Sequence, residues 1–285
     1  MRGALQALRD IVTSSNEPLA LPTTRGIVYR TTSGPNGRPI ELKLDVYRPE
    51  RNVTGASCLM VHGGSFIMGD RAMKPCRFVA TRLVEQGITV ASLDYRLVQQ
   101  NGVLPRPVRD VKAAMRYWAD HAEAHGADPA RVTLTGLSAG GALALLALAW
   151  RDDEPLLQVP AGRSLKTPPV QRMASIYGVT DFPAFRRGLT PLLRRWVTGS
   201  DDPARWRALS PLSVAGFETP LLQLHGDADT VVPLEHSTAL DAARRAAGKS
   251  VETHVYPGAP HAFFAQVGSE AAERGAADLA RFILG

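Results

Sequence analysis

The sequence predicts an α/β protein: a mostly parallel, eight-stranded sheet with helices on both faces. Three observations predict it. From about residue 56 onward, short apolar or β-branched runs alternate with stretches of helix formers, the pattern of a parallel sheet covered on both sides. The 285 residues, 45% of them hydrophobic, suffice for one α/β domain with a large core. Ser33-Gly34-Pro35-Asn36-Gly37 is a turn signal between two early strand-like runs, so an antiparallel hairpin starts the sheet.

The elements follow in order. Strands are expected at 26–31 and 40–47, flanking that turn, then at 57–62, 88–93, 131–135, 171–177, 220–225 and 251–256. Helices are expected at 74–86, 107–125, 139–151, 234–247 and 268–284. Ser57-Cys58-Leu59-Met60-Val61 is continuously apolar enough to be a buried strand, and Arg131-Val132-Thr133-Leu134-Thr135 is a short β-branched run. Gly141 to Trp150 is apolar all round, hence a buried helix. No internal repeat or low-complexity tract interrupts the pattern. Two segments depart from it. Residues 1–25, amphipathic and then proline-containing, form an N-terminal extension that could serve as a cap element ahead of a domain spanning 26–285. Residues 178–216 hold Phe182, Pro183, Phe185, Pro191, Trp196 and Trp206, and are the expected site of a small cap insertion.

Four local motifs carry chemistry. The first is Gly136-Leu137-Ser138-Ala139-Gly140, a Gly-x-Ser-x-Gly pentapeptide between a strand and a helix. The serine stands at the tip of a sharp turn, where larger flanking residues would clash. The helix that follows aims its first N–H groups at a centre where negative charge develops. The second is Val61-His62-Gly63-Gly64-Ser65-Phe66 after a strand. Glycines there free backbone N–H groups of Gly64 and Ser65 to form an oxyanion hole with that of Ala139. His62 is read as a brace for this loop. The third is His225-Gly226-Asp227-Ala228-Asp229-Thr230-Val231-Val232-Pro233, which puts two candidate acids, Asp227 and Asp229, after a strand. The fourth is Tyr256-Pro257-Gly258-Ala259-Pro260-His261, with a histidine in a loop beyond a strand end. Among the other histidines, His121 and His125 fall late in a helix, His254 lies within a strand, and His236 opens a helix and is read as solvated. The order is serine, acid, histidine, which differs from the orders of unrelated serine hydrolases.

On these residues the chain resembles an α/β-hydrolase of the esterase/lipase type. It is similar to the hormone-sensitive-lipase-like and feruloyl-esterase-like branches, which carry His-Gly-Gly-x-aromatic and Gly-x-Ser-Ala-Gly-Gly. Asp45-Val46-Tyr47-Arg48-Pro49, Leu93-Asp94-Tyr95-Arg96-Leu97 and the helix opening at Pro107 add to the resemblance, which covers roughly residues 26 to 284. Ser65 stands where the lipase-like branch has a third glycine, and Leu137 where it often has an acid. The resemblance implies Asp229 as the triad acid, since His-Gly-x-x-Asp-x-x-Val-Pro fits the family, and leaves Asp227 to brace the loop. It implies a Ser138–His261–Asp229 triad that hydrolyses small to medium acyl esters through an acyl-enzyme, without metal or cofactor. Activity is expected to rise with pH where a histidine loses its proton, about 6–7 by its unperturbed value. Phe66, Leu137, Phe182 and Trp196 are candidate substrate contacts. The alternative is an amide hydrolase on the same triad, arylformamidase-like or peptidase-like. A non-catalytic binding protein on this fold would have lost the serine or the histidine.

The charge is mildly basic: 33 Lys and Arg against 27 Asp and Glu, net +6. Without a basic stripe interleaved with stacking aromatics, no nucleic-acid partner is expected. Cys58 and Cys76 fall in a predicted strand and helix, where neither is a nucleophile. There is no Cys/His zinc spacing. No run reaches about eighteen apolar residues and no signal-peptide core stands at the N-terminus, so a cytoplasmic protein without membrane insertion is expected. Members of this fold often pair through edge strands or terminal helices, so a homodimer is left open.

Overall fold

A computed structural model describes residues 6–7, 9–10, 17–157, 165–184 and 190–285. Phe185, Arg186 and Arg187 lie outside the described residues. The strands are β1 (Thr24–Ser33), β2 (Pro39–Tyr47), β3 (Ser57–Val61), β4 (Thr89–Leu93), β5 (Val132–Leu137), β6 (Arg172–Ile176), β7 (Leu221–Gly226) and β8 (Val251–Tyr256). The helices are α1 (Lys74–Glu85), α2 (Arg106–His121), α3 (Ala139–Ala149), α4 (Thr190–Thr198), α5 (Pro203–Ala208), α6 (Glu235–Ala246) and α7 (Glu270–Leu284).

The eight strands form one sheet in the order β1-β2-β4-β3-β5-β6-β7-β8. The β1–β2 hairpin and the β2–β4 pair are antiparallel, and β4 through β8 run parallel. Asn36 and Gly37 turn the hairpin with positive φ, 56° and 73°. The interior strands β3, β4 and β5 are buried at every position, as a sheet covered on both faces requires. Their side chains alternate between two cores. From β3, Leu59 and Val61 pack with Val108 and Trp118 of α2 and Leu143 of α3. Cys58 and Met60 face the opposite side with Phe78 and Leu83 of α1 and Leu279 and Ile283 of α7. Helices therefore cover both faces. The edge strand β8 is only partly buried.

Strand order reverses between β3 and β5, because the chain leaves β3 for β4 and returns past it to β5. At such a reversal the loops beyond the strand ends diverge and leave a crevice. The loop after β3 and the turn into α3 both open there. Two of the sequence motifs hold this end in place. The Arg96 guanidinium, just past β4, forks onto the buried Asp110 of α2 at 2.8 and 2.9 Å. Arg71 joins Asp45 of β2 to Asp94 at 2.8 and 2.6 Å.

The structure differs from the sequence reading in three places. The helix expected to 125 ends at His121 and continues as a tighter turn, Ala122–His125. Residues 178–216, proline-rich and read without elements, contain α4 and α5; Pro203 occupies the first turn of α5, where a missing N–H costs nothing. Asp202 caps α5 by accepting from Ala204 N at 2.8 Å. His236 of α6 is buried, at 3% exposure, rather than solvated. Cys58 and Cys76 are free, buried thiols. No helix among the described residues is long and apolar enough to cross a membrane.

Candidate active site

Ser138 sits between β5 and α3 with φ 53° and ψ −117°, a conformation an L-residue adopts only under constraint. The constraint comes from close packing. A Cβ on Gly136 would lie 2.3 Å from Gly140 O, and one on Gly140 would lie 2.3 Å from Val61 O. Both glycines are therefore fixed by backbone contact, and the serine is pushed to the tip.

Ser138 Oγ lies 3.0 Å from His261 Nε2, and His261 Nδ1 lies 2.6 Å from Asp229 Oδ2. Residues 123 and 32 positions apart in the chain thus form one hydrogen-bonded line. A carboxylate only accepts, so Nδ1 carries the proton and Nε2 is free to accept from the serine hydroxyl. Asp229 Oδ1 accepts from Val231 N and Val232 N at 2.9 and 2.8 Å. Burial pushes the Asp229 pKa up, but donors on both oxygens, His225 and His261 foremost, hold it well below the usual carboxylate range. The acid is thus ionised wherever the enzyme would work. Asp227, the rival acid, accepts from Gly258 N at 2.6 Å and ties its own loop to the one bearing His261. A Cβ on Gly226 would meet Ala259 O at 2.0 Å, so the two loops touch directly.

The loop after β3 lies against the serine: a Cβ on Gly63 would stand 3.2 Å from Ser138 Cβ. Gly64, Ser65 and Phe66 all have positive φ, 113°, 55° and 65°. Gly64 has no alternative, since a side chain there would lie 2.0 Å from Met68 O. Three such residues in a row turn the backbone sharply. Among the described residues, the N–H groups of Gly64, Ser65 and Ala139 have no hydrogen-bond partner. His62 braces the loop: its Nδ1–H donates to Gly63 O at 2.6 Å, and its ring stacks on Tyr95 at 4.3 Å. Burial lowers its pKa, which suits a neutral donor.

The candidate substrate contacts separate into two groups. Phe66 and Phe182 are buried and meet ring to ring at 6.0 Å, which joins the 178–216 segment to the oxyanion-side loop. Leu137 is buried beside Ser138 on the face covered by α1 and α7. Trp196 of α4 is 47% exposed and, among the described residues, makes no ring contact or hydrogen bond with the triad.

Three residues around the triad were not singled out from the sequence. Tyr177 packs edge-on against His261 at 5.1 Å. His225 lies 3.3 Å from the carboxylate of Asp229. His236 accepts from Thr180 N and Asp181 N through Nδ1, at 3.1 and 3.2 Å. No local signal marks Tyr177 or His236, because their neighbours come from distant segments. His225 lies in the same motif as Asp229, four residues before it.

Burial, with the nearby His225, brings the pKa of His236 down to about 4. The unfolded chain takes up this proton near 6.5 and the folded chain only near 4, so stability is lost as pH falls between them. The expected loss reaches about 3 kcal/mol. His236→Asn keeps an acceptor near Nδ1 and cannot titrate. Urea denaturation between pH 7 and 4 should show the wild type losing stability more steeply than the variant; parallel curves would refute this.

Comparison with known proteins places the chain in a family. The BD-FAE family model matches residues 44–243, and the dienelactone hydrolase family model matches 211–283. Esterase LipQ of Mycobacterium tuberculosis is 34% identical over 242 residues, covering 81% of this chain and 56% of LipQ. Ethyl acetate hydrolase of Pseudomonas putida is 31% identical over 248 residues, covering 78% of this chain and 71% of that protein. The chain thus spans little more than half the length of LipQ. Thermogutta terrifontis esterase 2 phosphonylated by sarin superposes with a TM-score of 0.76 at 23% identity, covering 95% of this chain and 97% of that one. A truncated carbohydrate esterase from gut microbiota superposes at 0.75 with 21% identity, covering 95% and 98%. Both structures share the fold. The chain belongs to the BD-FAE family of the α/β-hydrolase superfamily, to which its elbow serine, sheet order and matched residues assign it.

Proposed function

We propose that this chain is a serine carboxylic-ester hydrolase acting on small to medium acyl esters. The observation that carries the reading is the line Ser138–His261–Asp229, at 3.0 and 2.6 Å, with the serine held at a strained elbow. His261 takes the proton of Ser138 as Oγ attacks the ester carbonyl. Asp229 keeps the proton on Nδ1 and stabilises the imidazolium that forms. The unpartnered N–H groups of Gly64, Ser65 and Ala139 are suited to bind the oxyanion, and each such donor is worth about 10²–10³ in rate. His261 then gives the proton to the departing alcohol, and water activated by the same base releases the acid. LipQ, named an esterase, and ethyl acetate hydrolase support ester over amide chemistry. Phe182 against Phe66 supports a role for 178–216 in walling the acyl or alcohol pocket. Asp10 of the N-terminal extension accepts from Gln266 Nε2, five residues beyond His261, at 3.0 Å.

The test is a panel of p-nitrophenyl acetate, butyrate, octanoate and laurate, beside formanilide, with active sites counted by fluorophosphonate labelling. Turnover of the short and medium esters is expected. A labelled enzyme that cleaves only formanilide would move the assignment to amide hydrolysis. Neither label nor turnover would leave a binding protein on this fold.

A further inference from the structure

The buried Asp229 carboxylate is shared between two imidazoles, only one of which belongs to the triad. Its Oδ2 lies 2.6 Å from His261 Nδ1 and 3.3 Å from His225 Nε2. His225 is fully buried at the end of β7. Its Nε2 is also 2.8 Å from Val232 O, a carbonyl that can only accept, so this nitrogen carries the proton. Its Nδ1 faces Ser237 Oγ of α6 at 2.7 Å, which donates to it. The tautomer is thereby fixed from both sides.

We propose that His225, set by Ser237, is a positioning residue for the reaction: its Nε2–H edge, donating to Val232 O and 3.3 Å from Oδ2, steers the Asp229 carboxylate toward His261, so that Ser237, His225, Asp229, His261 and Ser138 stand in one line of polar contacts. This rests on the serine-hydrolase reading above. Backbone amides of Val231 and Val232 hold only Oδ1. Among the described residues, the polar contacts to Oδ2 come from the two rings. His225 also withdraws charge from Oδ2, and so moderates how strongly Asp229 holds the proton on His261. The other titratable groups around the pair are His236 and Glu235 on α6 and Tyr177 after β6.

The sign of the effect follows. Without the His225 N–H, more negative charge stays on Oδ2, the His261 imidazolium is stabilised, and the acid limb of kcat/KM moves to higher pH. A hydrogen bond to a charged group corresponds to about 10–100-fold in rate when lost. The fall should appear in kcat, with KM unchanged, because His225 touches no substrate.

The experiment compares His225→Leu, His225→Gln and Ser237→Ala with wild type and with Ser138→Ala. Two readouts are taken against pH: p-nitrophenyl butyrate turnover per titrated site, and the rate of fluorophosphonate labelling, which needs no substrate. His225→Leu is expected to be slow with its acid limb raised. His225→Gln, whose amide N–H reaches near the Nε2 position, should restore most of the rate. Ser237→Ala, which frees the tautomer, should fall between. Wild-type rate and acid limb in both His225→Leu and Ser237→Ala, with only Tm lowered, would reduce His225 to core packing. If His225→Leu does not fold, a wild-type rate and acid limb in Ser237→Ala overturn the proposal. A wild type whose turnover survives Ser138→Ala fails the serine-hydrolase reading instead, and the labelling profiles still decide the role of His225. A wild type that neither turns over nor labels overturns both.

Discussion

Ser138→Ala is expected to lower kcat by about 10⁶-fold, the scale seen when a hydrolase loses its nucleophile. The change removes one oxygen and leaves the rest of the site in place. His261 keeps its bond to Asp229 at 2.6 Å, and the Gly64, Ser65 and Ala139 N–H groups remain where they are. The oxyanion donors and bound water should sustain a small residual rate. The fold should survive, because the strained φ of 53° is imposed by Gly136 and Gly140 and not by the hydroxyl. Measured on p-nitrophenyl butyrate with circular dichroism as the folding control, a residual rate within tenfold of wild type would remove Ser138 from the chemistry.

Asp229→Asn should cost about 10⁴ in kcat, by putting the wrong tautomer on the histidine. The structure says why the amide cannot rescue itself by flipping. Val231 N and Val232 N both donate to the Oδ1 position, so the asparagine oxygen must stay there. Its NH₂ group then occupies the Oδ2 position, facing His261 Nδ1 at 2.6 Å and the His225 Nε2–H at 3.3 Å. A donor there turns His261 to the tautomer with its proton on Nε2, where it can no longer accept from Ser138. Asp227→Asn is the matched comparison. Its Oδ1 accepts from Gly258 N, a role that an asparagine oxygen also fills, so its rate should stay close to wild type. Equal losses in the two variants, read as kcat/KM on the same ester, would reverse the choice of acid.

Much of this protein was legible because it is local. The elbow is strand, turn and helix within about twenty residues, and Gly136 and Gly140 announce how closely the backbone must pass. The eight strands carry their own apolar or β-branched runs, and alternation along β3 between two cores follows from a period of two. Loop histidines and acids beyond strand ends stand at the crevice for the same topological reason. The helices α4 and α5 were missed because proline reads as a breaker until the first turn of a helix is known to accommodate it.

The sequence by itself determined the class of fold, the order of serine, acid and histidine, and the local turns that expose them. Only the tertiary structure decided which groups surround them. His236 opens α6 and looked solvated, yet it is buried against Thr180 and Asp181, in the segment that follows β6. Ser237 of α6 reaches His225 Nδ1 at 2.7 Å, a contact that depends on how α6 packs against the end of β7. Backbone conformation is set by neighbours a few residues away. A buried polar group is set by whichever segment supplies its hydrogen bond, and that follows from how the elements pack.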